Sequence, residues 1–300
     1  MKLLWAVAAI RSEVLDTIFS LITKIGEEIV VIVVLCAIFW CIDKKLAYCI
    51  GISYFLSGLM VQGLKISFRI DRPWILDSSF SPVASAIEHA SGYSFPSGHT
   101  QSVSALFGTL GFSLKKRWQQ IICFVVIILV CFSRMYLGVH TLLDVGVSMI
   151  LSFAIAYLAV RFYGRKDHDT LAKQISLPIV LTLIALLIVL LSFIFYSSGA
   201  IEEEYVIDCL KAAGAGIGFS VGMFLEQRYI KFSTKCRNLW MQVVKLVLGM
   251  VGVLAVKEGL KLIIGTGMVV DTIRYILIGL FITAIYPYII SKLFEKKEDV

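Results

Sequence analysis

Long apolar runs follow one another through most of the chain, and they limit its possible folds more than any other feature. An α-helix needs about 20 apolar residues to cross a bilayer. Nine transmembrane helices are predicted, at residues 28–42, 46–64, 98–114, 118–132, 140–160, 175–196, 205–225, 239–258 and 272–291. With 59% hydrophobic and only 16% charged residues, the chain is predicted to be all-α, a polytopic transmembrane helical bundle.

The two ends of this pattern suggest how the chain is divided. Residues 1–22 alternate apolar and charged positions at a helical period, which indicates an amphipathic helix lying in the membrane interface. A short first span is the alternative for this segment. A polar connector at 164–174 separates a core, residues 1–163, from a C-terminal transmembrane extension, residues 164–300, with four of the predicted spans. No motif comparable to those of the core is found in the extension.

Basic residues are distributed unevenly between the loops. In a soluble protein the net charge of +7 would suggest a nucleic-acid partner. Here Lys and Arg concentrate in alternate loops, such as 161–173 and 228–237, which predicts that those loops are cytoplasmic. The segments 65–97 and 133–139 then face the extracytoplasmic side together. We therefore expect a multi-pass protein of the cell membrane, whose partner is the bilayer and not nucleic acid.

Two groups of residues in the outward segments suit a phosphate. Lys65 and Arg72, followed by Pro73, offer a point charge and a planar donor fork at the end of a span. Ser97 and Gly98 stand directly before an apolar run, where the N–H groups of a helix start can bind an anion and a glycine admits its close approach. Taken alone, each group also fits an ordinary flanking basic cluster or a simple helix start.

A third group, Arg134, His140 and Asp144, lies where the predicted span at 118–132 is joined to the one that begins at His140. If a helix begins near His140, Asp144 lies one turn further on. Its carboxylate can then accept a hydrogen bond from one imidazole nitrogen and leave the other free as a nucleophile. Arg134 can clamp an oxyanion with its guanidinium. A snorkelling arginine and a hydrogen-bonded interfacial histidine are the alternative, but ionisable groups at membrane depth favour a functional role.

Together the three groups resemble the signature of the type 2 phosphatidic acid phosphatase superfamily, matched here by Lys65-x6-Arg72-Pro73, Pro96-Ser97-Gly98-His99 and Ser133-Arg134-x5-His140-x3-Asp144. The resemblance covers roughly residues 25–160. It implies a membrane phosphatase that works without a metal ion through a phosphohistidine. By this resemblance His140 is the nucleophile, Asp144 orients it and His99 is the general acid. The phosphate-binding residues would be Lys65, Arg72, Ser97, Gly98 and Arg134.

The resemblance also implies the substrate class, a lipid phosphate or diphosphate. Polyprenyl diphosphate, phosphatidate, phosphatidylglycerol phosphate and a sphingoid phosphate remain open. So do two other functions: a phosphotransferase that passes the phosphoryl group to another lipid, and a non-catalytic transporter or scaffold that binds phosphate.

No cofactor or metal is expected. Three cations can supply the positive charge that phosphoryl transfer needs, and the sequence has no acidic cluster to hold Mg²⁺ or Zn²⁺. The seven cysteines form no CxxC pair. Glu88 and His89 match no motif, and no catalytic role is expected for them.

Overall fold

A computed structural model describes residues 1–87, 90, 92–164, 171–236 and 238–293. Within these ranges all regular secondary structure is helical, which confirms the predicted all-α class. The helices are α1 (Lys2–Ala8), α2 (Glu13–Thr23), α3 (Glu28–Cys41), α4 (Lys44–Phe68), α5 (Pro73–Leu76), α6 (Ala84–Ile87), α7 (Gly98–Ser113), α8 (Arg117–Tyr136), α9 (Leu142–Leu158), α10 (Leu171–Ser197), α11 (Glu203–Leu225), α12 (Leu239–Leu254), α13 (Leu260–Ile264), α14 (Met268–Leu280) and α15 (Tyr286–Leu293). Short 3₁₀ or π-helical turns lie at Lys24–Gly26, Ala159–Tyr163, Glu226–Ile230, Ala255–Gly259 and Phe281–Ile285.

Seven helical segments in the described ranges are long and apolar enough to cross a membrane. They are Lys44–Leu76, Arg117–Tyr136, Leu142–Tyr163, Ser176–Ser197, Glu203–Ile230, Leu239–Ile264 and Met268–Leu293. The predicted spans at 28–42 and 98–114 correspond to α3 and α7, whose 14 and 16 residues fall short of the required length. α3 stops early because Asp43 caps the next helix, its carboxylate accepting from the N–H groups of Lys45 and Leu46.

Four of the seven segments follow residue 164, the number predicted for the C-terminal extension. The connector that would separate this extension from residues 1–163 falls largely on residues 165–170, outside the described ranges. The division of the chain at this point therefore stays a prediction. Glu88 and His89 also lie outside the described ranges.

The N-terminal segment forms two short helices instead of one. α1 and α2 have 7 and 11 residues, so neither is long enough for the alternative of a first span. They meet at Ser12, whose side chain accepts from the N–H of Leu15 and caps α2. α2 packs against α8, and the side chain of Arg11 donates to the carbonyl oxygens of Ser81 and Tyr136. The predicted position of this segment in the membrane interface stays a prediction.

α4 stands at the centre of the bundle. It packs against α3, α7 and α9, and also against α10 and α11. α4 thereby joins the helices that carry the three sequence motifs to the helices of the C-terminal extension. A cavity that opens beside α4 can consequently be lined by both parts of the chain.

α11 approaches α14 and the π-helical turn that follows α14 closely along three of its glycines. A Cβ atom added to Gly214 would lie 2.7 Å from the carbonyl oxygen of Thr272, and one added to Gly218 would overlap the carbonyl oxygen of Ile276. Gly222 repeats the four-residue spacing and meets the side chain of Thr283. Small residues spaced in this way let helix backbones come together in membranes. We call this contact the glycine seam.

Candidate active site

The three sequence motifs meet around one cavity of about 340 Å³, beside the end of α4, the start of α7 and the link between α8 and α9. The cavity is lined by six of the eight predicted site residues: Lys65, Arg72, Gly98, His99, Arg134 and His140. The other two, Ser97 and Asp144, are buried behind this lining and are joined by a hydrogen bond from the N–H of Ser97 to the carbonyl oxygen of Asp144. Residues 75 positions apart in the chain thus reach a single site, while their roles remain predictions.

His140 presents one ring nitrogen towards Arg72. Its Nε2 lies 3.0 Å from Nη1 of Arg72, and since a guanidinium can only donate, Nε2 must accept. The ring proton of the neutral imidazole is then on Nδ1. The pKa of His140 is lowered well below its usual 6.5, first by burial and then by the charges of Arg72, Arg134 and Lys65. His140 is therefore a neutral imidazole whose Nε2 keeps its lone pair, the form that a nucleophile needs.

Asp144 contacts His140 less directly than the spacing predicts. The distance from Nδ1 of His140 to Oδ2 of Asp144 is 3.6 Å, too long for a good hydrogen bond. Oδ2 instead accepts from the hydroxyl of Ser94 at 2.7 Å and from the N–H of Thr141 at 2.7 Å. The reason is that α9 begins at Leu142, with Thr141 as its cap, so His140 lies just outside the helix.

Ser94 bridges the two predicted catalytic residues and was missed by the sequence motifs. Its Oγ donates to Asp144 and lies 3.5 Å from Nδ1 of His140. Its N–H donates to the carbonyl oxygen of Ile70, which fixes the loop before α7 to the end of α4. No pattern singles out a serine at this position, because the bridge depends on how the loop folds over His140.

Removing the Ser94 hydroxyl should loosen His140 without abolishing chemistry. We expect Ser94→Ala to lower kcat by about 10–100-fold and leave KM nearly unchanged, because a hydrogen bond to a charged group contributes about 1.5–3 kcal/mol. Ser94→Thr keeps the hydroxyl and should recover part of the loss. Steady-state kinetics would test this, with Ser85→Ala as a control at an exposed serine. Unchanged kcat in Ser94→Ala would show that the bridge does not position His140.

Ser97 is used mainly to begin α7. Its side chain accepts from the N–H of Thr100 at 3.4 Å, and its carbonyl oxygen accepts from the hydroxyl of Ser148 at 2.6 Å. The residue is fully buried and does not line the cavity. Gly98 does line it, and a Cβ added there would meet no atom within 4 Å. The start of α7 is thus clamped to α9, with Gly98 as the part that a ligand can approach.

Two cations of the cavity are poorly paired within the protein. Arg134 is 2% exposed and donates through Nη1 to Thr23, but its buried Nε has no hydrogen-bond partner in the described part of the chain. The side chain of Lys65, which is partly buried, makes no hydrogen bond or ion pair with any described residue. A buried donor without an acceptor is costly, so Arg134, with the ammonium of Lys65 at the same cavity, suits an anion that enters it.

His99 faces the same cavity from the first turn of α7. Its backbone packs tightly against Gly26, where an added Cβ would lie 2.9 Å from the carbonyl oxygen of His99. Arg134 is also held by the N-terminal segment, because it donates to Thr23 in the last turn of α2. The N-terminal segment therefore supports the site, a contribution that composition and spacing do not indicate.

Two sequence profiles match the chain. That of the PAP2 superfamily matches residues 45–168, and that of the PAP2 superfamily phosphatase transmembrane extension matches residues 210–298. The first match contains every motif residue that meets at the cavity. The second covers much of the C-terminal helices, whose function the motifs do not address.

Curated relatives of the chain are phosphatases of lipids. Sphingosine-1-phosphate phosphatase 2 of Mus musculus is 25% identical over 70% of this chain and 59% of its own length. Undecaprenyl-diphosphatase of Sulfolobus acidocaldarius is 30% identical over 39% of this chain and 55% of its own. The chain thus spans less than two thirds of these relatives. The crystal structure of a transmembrane PAP2-type phosphatidylglycerolphosphate phosphatase from Bacillus subtilis has 25% sequence identity and a TM-score of 0.46, covering 53% of this chain and 81% of that one.

Proposed function

The chain belongs to the PAP2 superfamily and is a multi-pass membrane protein, and from that premise we propose that it hydrolyses a lipid phosphate through a phosphohistidine on His140, without a metal ion. The observation that carries the proposal is the state of His140, a neutral imidazole whose Nε2 lone pair stands at a cavity with three cations. Phosphoryl transfer requires in-line positioning and positive charge around the phosphoryl oxygens, and Lys65, Arg72 and Arg134 at this cavity support the second requirement.

The first step would form a bond from Nε2 of His140 to phosphorus and break the bond from phosphorus to the lipid oxygen. A phosphate oxygen must first take over the hydrogen bond that Arg72 makes to Nε2. Arg72 stays in place meanwhile, because its Nε and Nη1 also donate to the carbonyl oxygens of Gly92 and Val139. His99 would give its proton to the departing oxygen. The ring of His140 becomes positive when it is phosphorylated, and Asp144 would stabilise this charge through the hydroxyl of Ser94.

The second step would return the site to its starting state. Water attacks phosphorus, the nitrogen–phosphorus bond breaks, and His99 takes one proton from the water, so that inorganic phosphate leaves. Lys65 and the free Nε of Arg134 would hold the phosphoryl oxygens through both steps. Their charge is in place before the reaction begins, which is the main way that such a site lowers the barrier.

Phosphate release from purified protein tests the proposal. We expect release from at least one member of a panel of lipid mono- and diphosphates, at a rate unchanged by excess EDTA, because Lys65, Arg72 and Arg134 supply the charge. A strict need for one divalent ion would contradict the metal-free mechanism. Transfer of labelled phosphate to a second lipid would favour the phosphotransferase, and binding without release would favour the transporter or scaffold.

We further propose that the site faces the extracytoplasmic side, on the basis of the loop charges. A cysteine introduced at Ser79, which is exposed near the site, should react with an impermeant thiol reagent in intact cells once the seven native cysteines are replaced. A cysteine at Gln120, exposed at the opposite end of the bundle, should react only after lysis. The reverse labelling pattern would place the site in the cytoplasm.

A further inference from the structure

The first turn of α11 touches the loop that carries Ser94. We call residues 92–97 the Ser94 loop; it leads directly into α7. The rings of Tyr93 in this loop and of Tyr205 in α11 are stacked, with their centroids 4.2 Å apart and their planes 11° from parallel. A side chain of the C-terminal extension is thus in direct contact with the residue next to Ser94.

The ring of Tyr205 also lies against the backbone of Gly92. Gly92 has a φ of +68°, which glycine adopts without strain, and a Cβ added there would lie 3.4 Å from Cε1 of Tyr205. The carbonyl oxygen of Gly92 accepts from Nε of Arg72 at 2.9 Å. Tyr205 therefore packs against both residues that precede Ser94, including the one that helps to hold Arg72.

The position of the Ser94 loop matters because of what Ser94 contacts. Its Oγ donates to Oδ2 of Asp144 at 2.7 Å and lies 3.5 Å from Nδ1 of His140. A hydrogen bond weakens steeply as its geometry is lost, so a displacement of about 1 Å would break the bridge between the two residues. Whatever fixes the loop therefore acts on the orientation of His140.

Tyr205 is well placed to fix the loop. α11 is held against α14 through the glycine seam and packs on α10 as well. Val206 and Cys209, in the turn that carries Tyr205 and the next one, are fully buried. Neither Tyr205 nor Tyr93 is among the described residues that line the cavity. The two rings thus contact the Ser94 loop from a rigid helix without facing the bound substrate.

We propose that Tyr205 is a positioning residue, which stacks on Tyr93 and so holds Ser94 against Asp144 and His140. The inference rests on the proposed phosphatase function and gives the C-terminal extension a part in its rate. The aromatic ring is the active part of the side chain, because stacking requires a flat ring and not a hydroxyl group. Any extension that presents an aromatic ring at this point would serve in the same way.

Steady-state kinetics of the full-length protein test this inference. The substrates are p-nitrophenyl phosphate, which has no lipid tail to touch the extension, and the lipid phosphate that the wild-type protein hydrolyses fastest. We expect Tyr205→Leu, which keeps apolar bulk but loses the ring, to lower kcat about tenfold with both substrates, as for loss of a stacked and partly buried pair. KM should change by less than about twofold, because neither ring faces the substrate.

Matched variants assign the loss to the ring. Tyr205→Phe keeps the stack and should retain kcat within about twofold. Tyr93→Leu removes the stack from its other side and should repeat the loss of Tyr205→Leu, so the test does not depend on one variant folding. Tyr196→Leu, at an exposed tyrosine near the end of α10, is the control and should leave both kinetic constants unchanged.

A double variant separates positioning of Ser94 from general destabilisation. Ser94→Ala leaves the loop with no hydroxyl to position. Adding Tyr205→Leu to Ser94→Ala should therefore lower kcat by a further twofold or less, roughly, instead of the tenfold seen in the wild-type background, since two residues that act through one contact are not additive.

Each outcome bears on one proposal or the other. Unchanged kcat in Tyr205→Leu would overturn the inference, and so would losses that multiply in full when Ser94→Ala and Tyr205→Leu are combined. Equal losses in Tyr205→Phe and Tyr205→Leu would also overturn it, because the hydroxyl group and not the stack would then be responsible. No phosphate release by the wild-type protein from any substrate would overturn the proposed function itself, and the inference with it.

Discussion

His140→Ala is expected to abolish turnover of every substrate, with kcat lower by roughly 10⁴–10⁶-fold, as for loss of a nucleophile in other enzymes. Among the described residues His99 is the other histidine, and it cannot take the place of His140 because it faces the lipid oxygen in the proposed mechanism. Substrate binding should survive the change. Nη1 of Arg72 loses His140 as a partner but still donates to the carbonyl oxygen of Val139, and Arg134 keeps Thr23.

Two measurements together check this prediction. Phosphate release gives kcat, and brief reaction with substrate labelled in its phosphate, followed by denaturation, shows whether label stays on the protein as an acid-labile phosphoramidate. Wild-type protein should carry label and His140→Ala none. His168→Ala, a histidine outside the described ranges, controls for loss of an imidazole. Label or near-normal turnover in His140→Ala would show that the nucleophile is another residue.

His99→Ala is expected to depend on the leaving group. A lipid alkoxide must be protonated as it departs, and general acid catalysis of this kind contributes about 10²–10⁴-fold. The phenolate of p-nitrophenyl phosphate leaves without a proton. We therefore expect His99→Ala to lose about 10²–10⁴-fold in the phosphorylation of His140 by a lipid phosphate and about tenfold or less with p-nitrophenyl phosphate.

The burst phase is the quantity to measure, because the second step also uses His99 and would otherwise mask the difference. Rapid mixing gives the initial phosphorylation rate with each substrate, and the ratio of the two rates is compared between variants. His140→Ala, which should be inactive with both substrates, is the matched reference. Equal losses with both substrates in His99→Ala would refute the acid role and leave His99 as a residue that positions phosphate.

The residues that line the cavity could be predicted from the sequence, and their exact contacts could not. Lys65, Arg72 and His140 are costly residues in an apolar chain, so their motifs stand out and the structure does place them at one cavity. A helix beginning near His140 would have put its ring against Asp144. The cap at Thr141 moves the helix start by two residues, and Ser94 fills the gap that this leaves.

The helix ends and helix contacts that support the site could not be predicted from the sequence, for a different reason. α3 and α7 belong to apolar runs of ordinary length, but side-chain caps at Asp43 and Ser97 end or begin helices without changing hydropathy. Gly214 and Gly218 have the spacing of a close helix contact, yet nothing in the sequence names α14 as the partner. Such features depend on which helices become neighbours, which a hydropathy pattern leaves open.

Asp208, Lys211 and Tyr275 come from the C-terminal extension, so the reacting groups and the wall opposite them are encoded in separate halves of the chain. Selectivity can then change independently of chemistry. If the proposed mechanism holds, we expect an extension exchanged between relatives to change the lipid preference while the histidines and cations of residues 65–144 still transfer phosphate. The same scaffold could in this way be adapted to new lipids without any alteration of its reaction.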